Sequence, residues 1–285
     1  MIKDRNGNIL STDAQQDKTL SFLYRNAFGR CITKILVRRW VSDLVGFYMS
    51  SPLSKGRIKR LIKHHAIDMS EYEDRKFSSF NDFFTREVRE GKRPFSDNAD
   101  ELLSPCDAKL TVHDITEHGV YRIKGCDYGV AELLGSAEKA SEFFGGKCLI
   151  YRLTVDNYHR YRYFDSGKEL EYEFIPGVLH TVNPIAVARL DVYGRNCREV
   201  TYLETDNFGK CAYVEVGAMM VGRINNRHPE EGFSRGDEKG YFSFGGSTIV
   251  LLFKRDRVSI DSDIIENSAE GIETTVKCGE KVGAK

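Results

Sequence analysis

Gly245-Gly246-Ser247-Thr248 opens an apolar run, Ile249-Val250-Leu251-Leu252-Phe253. A glycine bulge ahead of a buried strand is the commoner reading of such a segment. The same segment can also do chemistry. Glycine admits unusual backbone angles and leaves its carbonyl open to attack, so the Ser247 hydroxyl can attack the Gly246 carbonyl if a base takes its proton. A base and an orienting acid occur upstream. Asp107 follows the turn Ser104-Pro105-Cys106 and leads into a strand pattern, and His159 stands in Asp156-Asn157-Tyr158-His159-Arg160, after the strand pattern Leu149 to Val155. Taken singly, Asp107 reads as a turn residue and His159 as a structural histidine. Together with Ser247 they have the composition of an arrangement in which an acid orients an imidazole and the imidazole activates a hydroxyl. Whether the three meet in space is left to the fold.

The elements that must position these residues fall into two groups. From about Thr19 to Lys63 the apolar residues Phe22, Leu23, Ala27, Cys31, Ile32, Ile35, Leu36 and Trp40 recur at helical spacing. Arg25, Arg30, Lys34, Arg38 and Arg39 lie between them, a second basic stretch runs from Lys55 to His65, and Ser51-Pro52 separates the helices. These helices read either as ordinary amphipathic helices with a solvated basic face or as a pair that docks on anionic lipid. The aromatic cluster Phe77 to Phe84 should pack between this unit and the rest of the chain, and Lys92-Arg93-Pro94-Phe95 has the look of a linker. From Leu102 onward, short alternating segments punctuated by glycine and asparagine predict strands, with short helices over Val130 to Leu134 and Ala137 to Phe144. The expected fold class is α+β: an N-terminal helical region over 1–95, membrane-docking on the second of those readings, then a mostly β domain with few short helices over 96–285, which carries Asp107, His159 and Ser247.

Composition narrows the function. Hydrophobic residues make up 41% of 285, enough to bury a sizeable core. Lys+Arg and Asp+Glu both total 42, a balance that gives no support to a nucleic-acid partner. Seven scattered cysteines form no CxxC pair, which removes the signal for a zinc site and points to a reducing compartment. No apolar run approaches the roughly 18 residues of a membrane span, and the polar start Met1-Ile2-Lys3-Asp4-Arg5-Asn6 is unlike a signal peptide. If the protein meets a membrane, it lies on its surface.

An ordered series of segments carries a resemblance. It comprises Ser79-Phe80-Asn81-Asp82-Phe83-Phe84-Thr85-Arg86, Ser104-Pro105-Cys106-Asp107, and Lys124-Gly125 through Tyr128 to Glu132-Leu133-Leu134-Gly135. Asp156 to Arg160 comes next, then Pro176-Gly177-Val178-Leu179-His180-Thr181-Val182-Asn183-Pro184. Last come Val214-Glu215-Val216-Gly217-Ala218 to Val221-Gly222, and Glu238-Lys239-Gly240 to Thr248. In this order, over nearly the whole chain, they resemble the phosphatidylserine decarboxylases of the bacterial type. The resemblance implies a precursor that cuts itself between Gly246 and Ser247 through an acyl shift from nitrogen to oxygen, leaving a β chain, 1–246, and an α chain, 247–285. Elimination and hydrolysis would convert Ser247 into a covalent pyruvoyl cofactor, an electron sink like pyridoxal phosphate. Its Schiff base with phosphatidylserine would release carbon dioxide and give phosphatidylethanolamine. By the same resemblance Asp107, His159 and Ser247 are the catalytic residues. The expected partners are phosphatidylserine and an anionic membrane surface, met peripherally on the cytoplasmic side of the cell membrane, with a homodimer among the assemblies allowed.

One position departs from the pattern. The family shows two histidines in a Tyr-His-Arg-aromatic-His series and the second is the usual self-cleavage base; here Tyr158-His159-Arg160-Tyr161-Arg162 puts Arg162 in its place. A guanidinium is not a base near neutral pH. His159 is therefore the expected base, with His180 and Arg162 as accessory candidates. Ala108 also replaces the usual glycine after the acid. Two other functions stay open: an uncut, non-catalytic lipid-binding relative, and a pyruvoyl decarboxylase acting on another amine.

Overall fold

A computed structural model describes residues 1–11, 22–23, 26–123, 126–187, 191–218, 223–244 and 247–285. Thr19 to Ser21, Arg25, Lys124-Gly125, Val221-Gly222 and Gly245-Gly246 lie outside the described residues.

Alternation of apolar side chains along many short strands gives a nine-stranded sheet. Its order is Ile9–Ser11, Ile2–Lys3, Glu273–Val276, Ala108–Asp114, Lys147–Leu153, Ser247–Phe253, Gly209–Gly217, Arg198–Thr205, Gly167–Ile175. Neighbours are antiparallel except Ile2–Lys3 with Glu273–Val276. The run Ser247–Phe253 has buried residues at every position because both of its faces are covered. On one face Ile150, Val214, Val250 and Leu252 pack under Leu133, Leu134, Phe143 and Tyr193. On the other, Tyr151, Tyr213, Ile249 and Leu251 pack against Tyr161 and Phe242. These last two come from a second, three-stranded sheet formed by Ile224–Asn226, Glu238–Phe242 and Arg160–Arg162.

The N-terminal periodicity resolves into helices Ala27–Leu36, Arg39–Ser50 and Gly56–His65. The break falls at Pro52, the first residue of a 3-10 turn, where a missing amide costs nothing. Ser79 caps helix Phe80–Phe84, its hydroxyl accepting from the Asp82 amide at 3.1 Å. Val45, Met49, Ile58 and Leu61 of the first helices close on Phe80, Phe84, Val155 and Phe244, which fastens the helices to the catalytic end of the sheet. The beginning of the chain differs from the expected all-helical region. Ile2–Lys3 and Ile9–Ser11 are strands of the large sheet, too short to leave a periodic signal.

Candidate active site

Ser247 is the first residue of its strand, directly opposite Leu153 on one neighbour and Gly217 on the other. Alternation places it on the face of Ile249 and Leu251. It is fully buried, and its hydroxyl has no hydrogen-bond partner among the described residues. A buried hydroxyl without a partner is costly and is what a nucleophile held in reserve looks like. Gly246, which would supply the attacked carbonyl, lies outside the described residues.

His159 is delivered by the strand that ends opposite Ser247. After Leu153 the chain turns, the Thr154 amide donating to Asn157 Oδ1 at 2.8 Å and the Asn157 amide to the Thr154 carbonyl at 2.8 Å. The His159 ring then folds back, its Nδ1 2.9 Å from the Asn157 carbonyl. A carbonyl only accepts, so Nδ1 carries the hydrogen and Nε2 keeps the lone pair. Nε2 is buried without a partner among the described residues. Phe84 lies on the ring at 3.8 Å. Burial pushes the imidazole pKa down to about 3, with the Arg86 charge adding to the effect. The ring is therefore neutral and holds its open nitrogen as an acceptor. The backbone ties this loop to the serine's approach: the Phe242 amide donates to the His159 carbonyl at 3.0 Å, and Phe84 meets Phe244, three residues before Ser247.

Asp107 is engaged by other groups. Its two oxygens accept from Arg93, Nε at 2.8 Å and Nη2 at 2.7 Å, and the Cys278 amide adds a third bond at 2.8 Å. The expected acid–imidazole contact is not formed: the group on His159 Nδ1 is a backbone carbonyl. The physical reason is that a buried carboxylate takes the bidentate guanidinium within reach. Arg162 donates to the Gly236 carbonyl at 3.1 Å and lies over Phe95. His180 is buried, which lowers its pKa, and its backbone is held by Asn196. The same Asn196 amide donates to the Gly217 carbonyl at 2.7 Å, so His180 is linked to the residue across from Ser247.

Three further charged groups at the site escape a sequence reading. Arg86 is buried, and its Nη2 donates to the carbonyls of Asp156 and Asn157. Glu215 and Lys239 form a fully buried pair at 2.7 Å. Glu215 sits two residues from Gly217 on the face that carries Ser247, and burial raises its pKa to about 7. The available signal for Glu215 was a charge inside the apolar run Ala212-Tyr213-Val214-Glu215-Val216, where alternation assigns it to a covered face.

One end of the sheet thus carries a buried serine hydroxyl, a neutral imidazole with an open nitrogen and an aromatic wall, groups of the types that acyl transfer uses. Comparison with known proteins identifies the family. The family model described as phosphatidylserine decarboxylase matches residues 80–284. Phosphatidylserine decarboxylase proenzyme 2 of Clostridium acetobutylicum is 47% identical over 265 residues, covering 93% of this chain and 91% of that protein. The proenzyme of Ruminiclostridium cellulolyticum is 41% identical over 292 residues, 99% of this chain and 97% of that one. That of Clostridium perfringens strain SM101 is 40% identical over 294 residues and covers both chains completely.

Proposed function

Because the chain belongs to the phosphatidylserine decarboxylase family, and is thereby a carboxy-lyase, we propose that it is made as a precursor that cuts itself between Gly246 and Ser247 and then converts phosphatidylserine to phosphatidylethanolamine. One observation carries the reading: Ser247 Oγ and His159 Nε2 are both buried and both without partners among the described residues. In the cut, the Ser247 oxygen forms a bond to the Gly246 carbonyl carbon while His159 Nε2 takes the hydroxyl proton. The peptide C–N bond breaks as that proton passes to the leaving nitrogen, which leaves an ester. Loss of the Ser247 α-proton and of the Gly246 carboxylate frees residues 1–246. Hydrolysis of the resulting enamine leaves a pyruvoyl group and ammonia.

A pyruvoyl group derived from Ser247 fits the residues present in that the hydroxyl it is made from is bound to no other group among the described residues. Once formed, it supplies a carbonyl electron sink for decarboxylation. Phe84 and Phe244 keep water from that end of the sheet, and Asn157 keeps His159 in the tautomer whose Nε2 can take or return a proton.

Lipid reaches such a site from a membrane surface. Trp40, Leu44 and Phe47 project along the outer side of helix Arg39–Ser50, and Phe28 and Leu53 are exposed beside them. Lys34, Arg38, Lys55, Lys59, Arg60 and Lys63, on these helices or the turns that join them, are all exposed. Exposed apolar side chains and cations on the same helices suit the headgroup boundary of an anionic bilayer. The inner side of the same helices, Val45 and Met49, rests on Phe80 and Phe84, so the docking face backs directly onto the site. No helix among the described residues is long and apolar enough to cross a membrane.

The test is intact mass under denaturing conditions. Two pieces are expected, the smaller of 39 residues (285 − 246) with a blocked, reducible N-terminus. A single uncut chain that still decarboxylates phosphatidylserine overturns the self-processing mechanism, and an uncut, inactive chain favours the non-catalytic lipid-binding reading.

A further inference from the structure

Arg86 is 1% exposed, and among the described residues it forms no ion pair. Its guanidinium lies between the rings of Tyr72 and Phe83, at 4.2 and 4.6 Å. Nη1 donates to the Phe83 carbonyl at 3.3 Å, and Nη2 to the Tyr72 hydroxyl at 3.2 Å and to the carbonyls of Asp156 at 3.1 Å and Asn157 at 3.4 Å. Burial of a cation without a counter-anion is unfavourable, and a neutral apolar residue would fill the same space between two aromatic rings. What an apolar residue cannot do is hold two consecutive carbonyls of the loop that carries the base.

We infer that Arg86 is a positioning residue for self-processing, acting on His159 through the Asn157 carbonyl. The inference rests on the reading of His159 as the base. One oxygen, that of Asn157, accepts from both Arg86 Nη2 and His159 Nδ1. A carbonyl oxygen has two lone pairs, and the two donors occupy them. With that oxygen fixed, the tautomer bearing hydrogen on Nε2 would set the Nδ1 lone pair against the carbonyl lone pair. Only the form with an open Nε2 is stable there. The guanidinium charge works in the same sense, because it raises the cost of a second proton on the ring. If Arg86 lets go, the Thr154–Asn157 turn keeps its own side-chain bonds, but the carbonyl is free to swing and the ring moves with it.

The test uses the full-length chain in two backgrounds. In uncut Ser247→Ala protein with nitrogen-labelled histidine, the imidazole nitrogen shifts report the tautomer of His159, identified by its loss in His159→Gln. The expected result is a single form with hydrogen on Nδ1, which Arg86→Gln converts into a mixture of both. In the Ser247 background, Arg86→Gln slows cleavage about 100-fold, the order of loss for a reacting group displaced by roughly 1 Å. Arg86→Lys keeps the charge but not the planar fork of donors, and cleaves about tenfold more slowly than the parent. A His159 tautomer unchanged in folded Arg86→Gln overturns the inference whatever the cleavage rate. Should Arg86→Gln fail to fold, Arg86→Lys decides, and parental cleavage in it overturns the role of the paired donors. A parent chain that never cleaves would sink the self-processing reading alone, since the tautomer is read in uncut protein.

Discussion

Asp107 and Arg93 meet side-on, two parallel N–H···O bonds of 2.8 and 2.7 Å joining one carboxylate to one guanidinium. Both side chains are buried, Arg93 continues to Glu71 at 2.8 Å, and Asp107 continues to the Cys278 amide. The pair therefore fastens 93–107 to the last residues of the chain. Removing one partner leaves an uncompensated buried charge. In uncut Ser247→Ala protein, Arg93→Met and Asp107→Asn should each lower the unfolding free energy by about 3 to 5 kcal/mol. The double replacement should cost less than the sum, as denaturant titration of the full cycle will read. Loss of cleavage in Asp107→Asn at unchanged stability would return the acid to the chemistry.

His159 and Arg162 separate cleanly by the same logic. His159→Ala removes the imidazole whose open nitrogen is set at the site and should stop cleavage. Arg162→Ala removes a bond to the Gly236 carbonyl and a contact with Phe95, and should leave the cleavage time course unchanged. Normal processing in His159→Ala would move the base to His180, which the Asn196 bridge already connects to the strand beside Ser247.

The depressed pKa of His159 makes two statements about pH. The ring stays neutral from pH 8 down to about 3, so cleavage should show no acid limb from this group between pH 8 and 5. Stability runs the other way. Between pH 6.5 and 3 the unfolded chain binds a proton that the folded chain refuses, so stability rises with pH across that window and falls on acidification. At pH 5 the difference from His159 is about 2 kcal/mol, from 1.5 units at 1.36 kcal/mol each. Denaturant midpoints of Ser247→Ala protein with and without His159→Gln, taken at pH 7 and pH 5, measure it as the difference of two slopes. Equal slopes would refute the buried, neutral imidazole.

Membrane binding should have a salt-sensitive and a salt-resistant part. Screening weakens the contribution of Arg38, Lys59 and Arg60 over about 8 Å at physiological ionic strength, while the apolar patch is indifferent to it. Charge reversal at those three positions should reduce sedimentation with anionic vesicles, and Leu44→Ser with Phe47→Ser should remove what survives high salt. Trp40 is the one tryptophan of the chain and is exposed, so its emission should shift to the blue on vesicles. An unshifted Trp40 with vesicles bound would exclude this face.

The strands were legible because alternation of apolar residues is strong from Leu102 onward; Ser247–Phe253 ends where its apolar run does, and Lys147–Leu153 lies two residues earlier than the pattern Leu149 to Val155. Helix Val130–Leu134 was legible too, closed by Gly135 in the left-handed conformation. The candidate nucleophile and base, Ser247 and His159, were named from chemical type and from the resemblance. What a sequence cannot carry is the choice of partner. Asp107 was read as a partner for His159, much farther along the chain, and the fold gives it Arg93, which the sequence reading had left in a linker. Arg86 stood at the end of the Ser79 to Arg86 motif without a role, because its partners are carbonyl oxygens that every residue possesses. Ile2–Lys3 finds Glu273–Val276 across the full length of the chain, a pairing with no local trace.

The strand that would begin at the cut lies in the interior of the large sheet, between Lys147–Leu153 and Gly209–Gly217. Behind it, Glu273–Val276 is gripped by the first residues of the chain on one side and by Ala108–Asp114 on the other. A piece of 39 residues (285 − 246) so interleaved cannot leave without opening both cores, and it has no core of its own to fold around. Before the cut, finding this place is an event within one molecule, independent of concentration. After the cut it would be an encounter between two, entropically handicapped and exposed to aggregation. A processed molecule that is unfolded and returned to buffer should therefore fail to recover where the uncut Ser247→Ala chain succeeds. The proposed cleavage would give the protein a direction in time, its mature structure reached from the precursor but not rebuilt from its own parts.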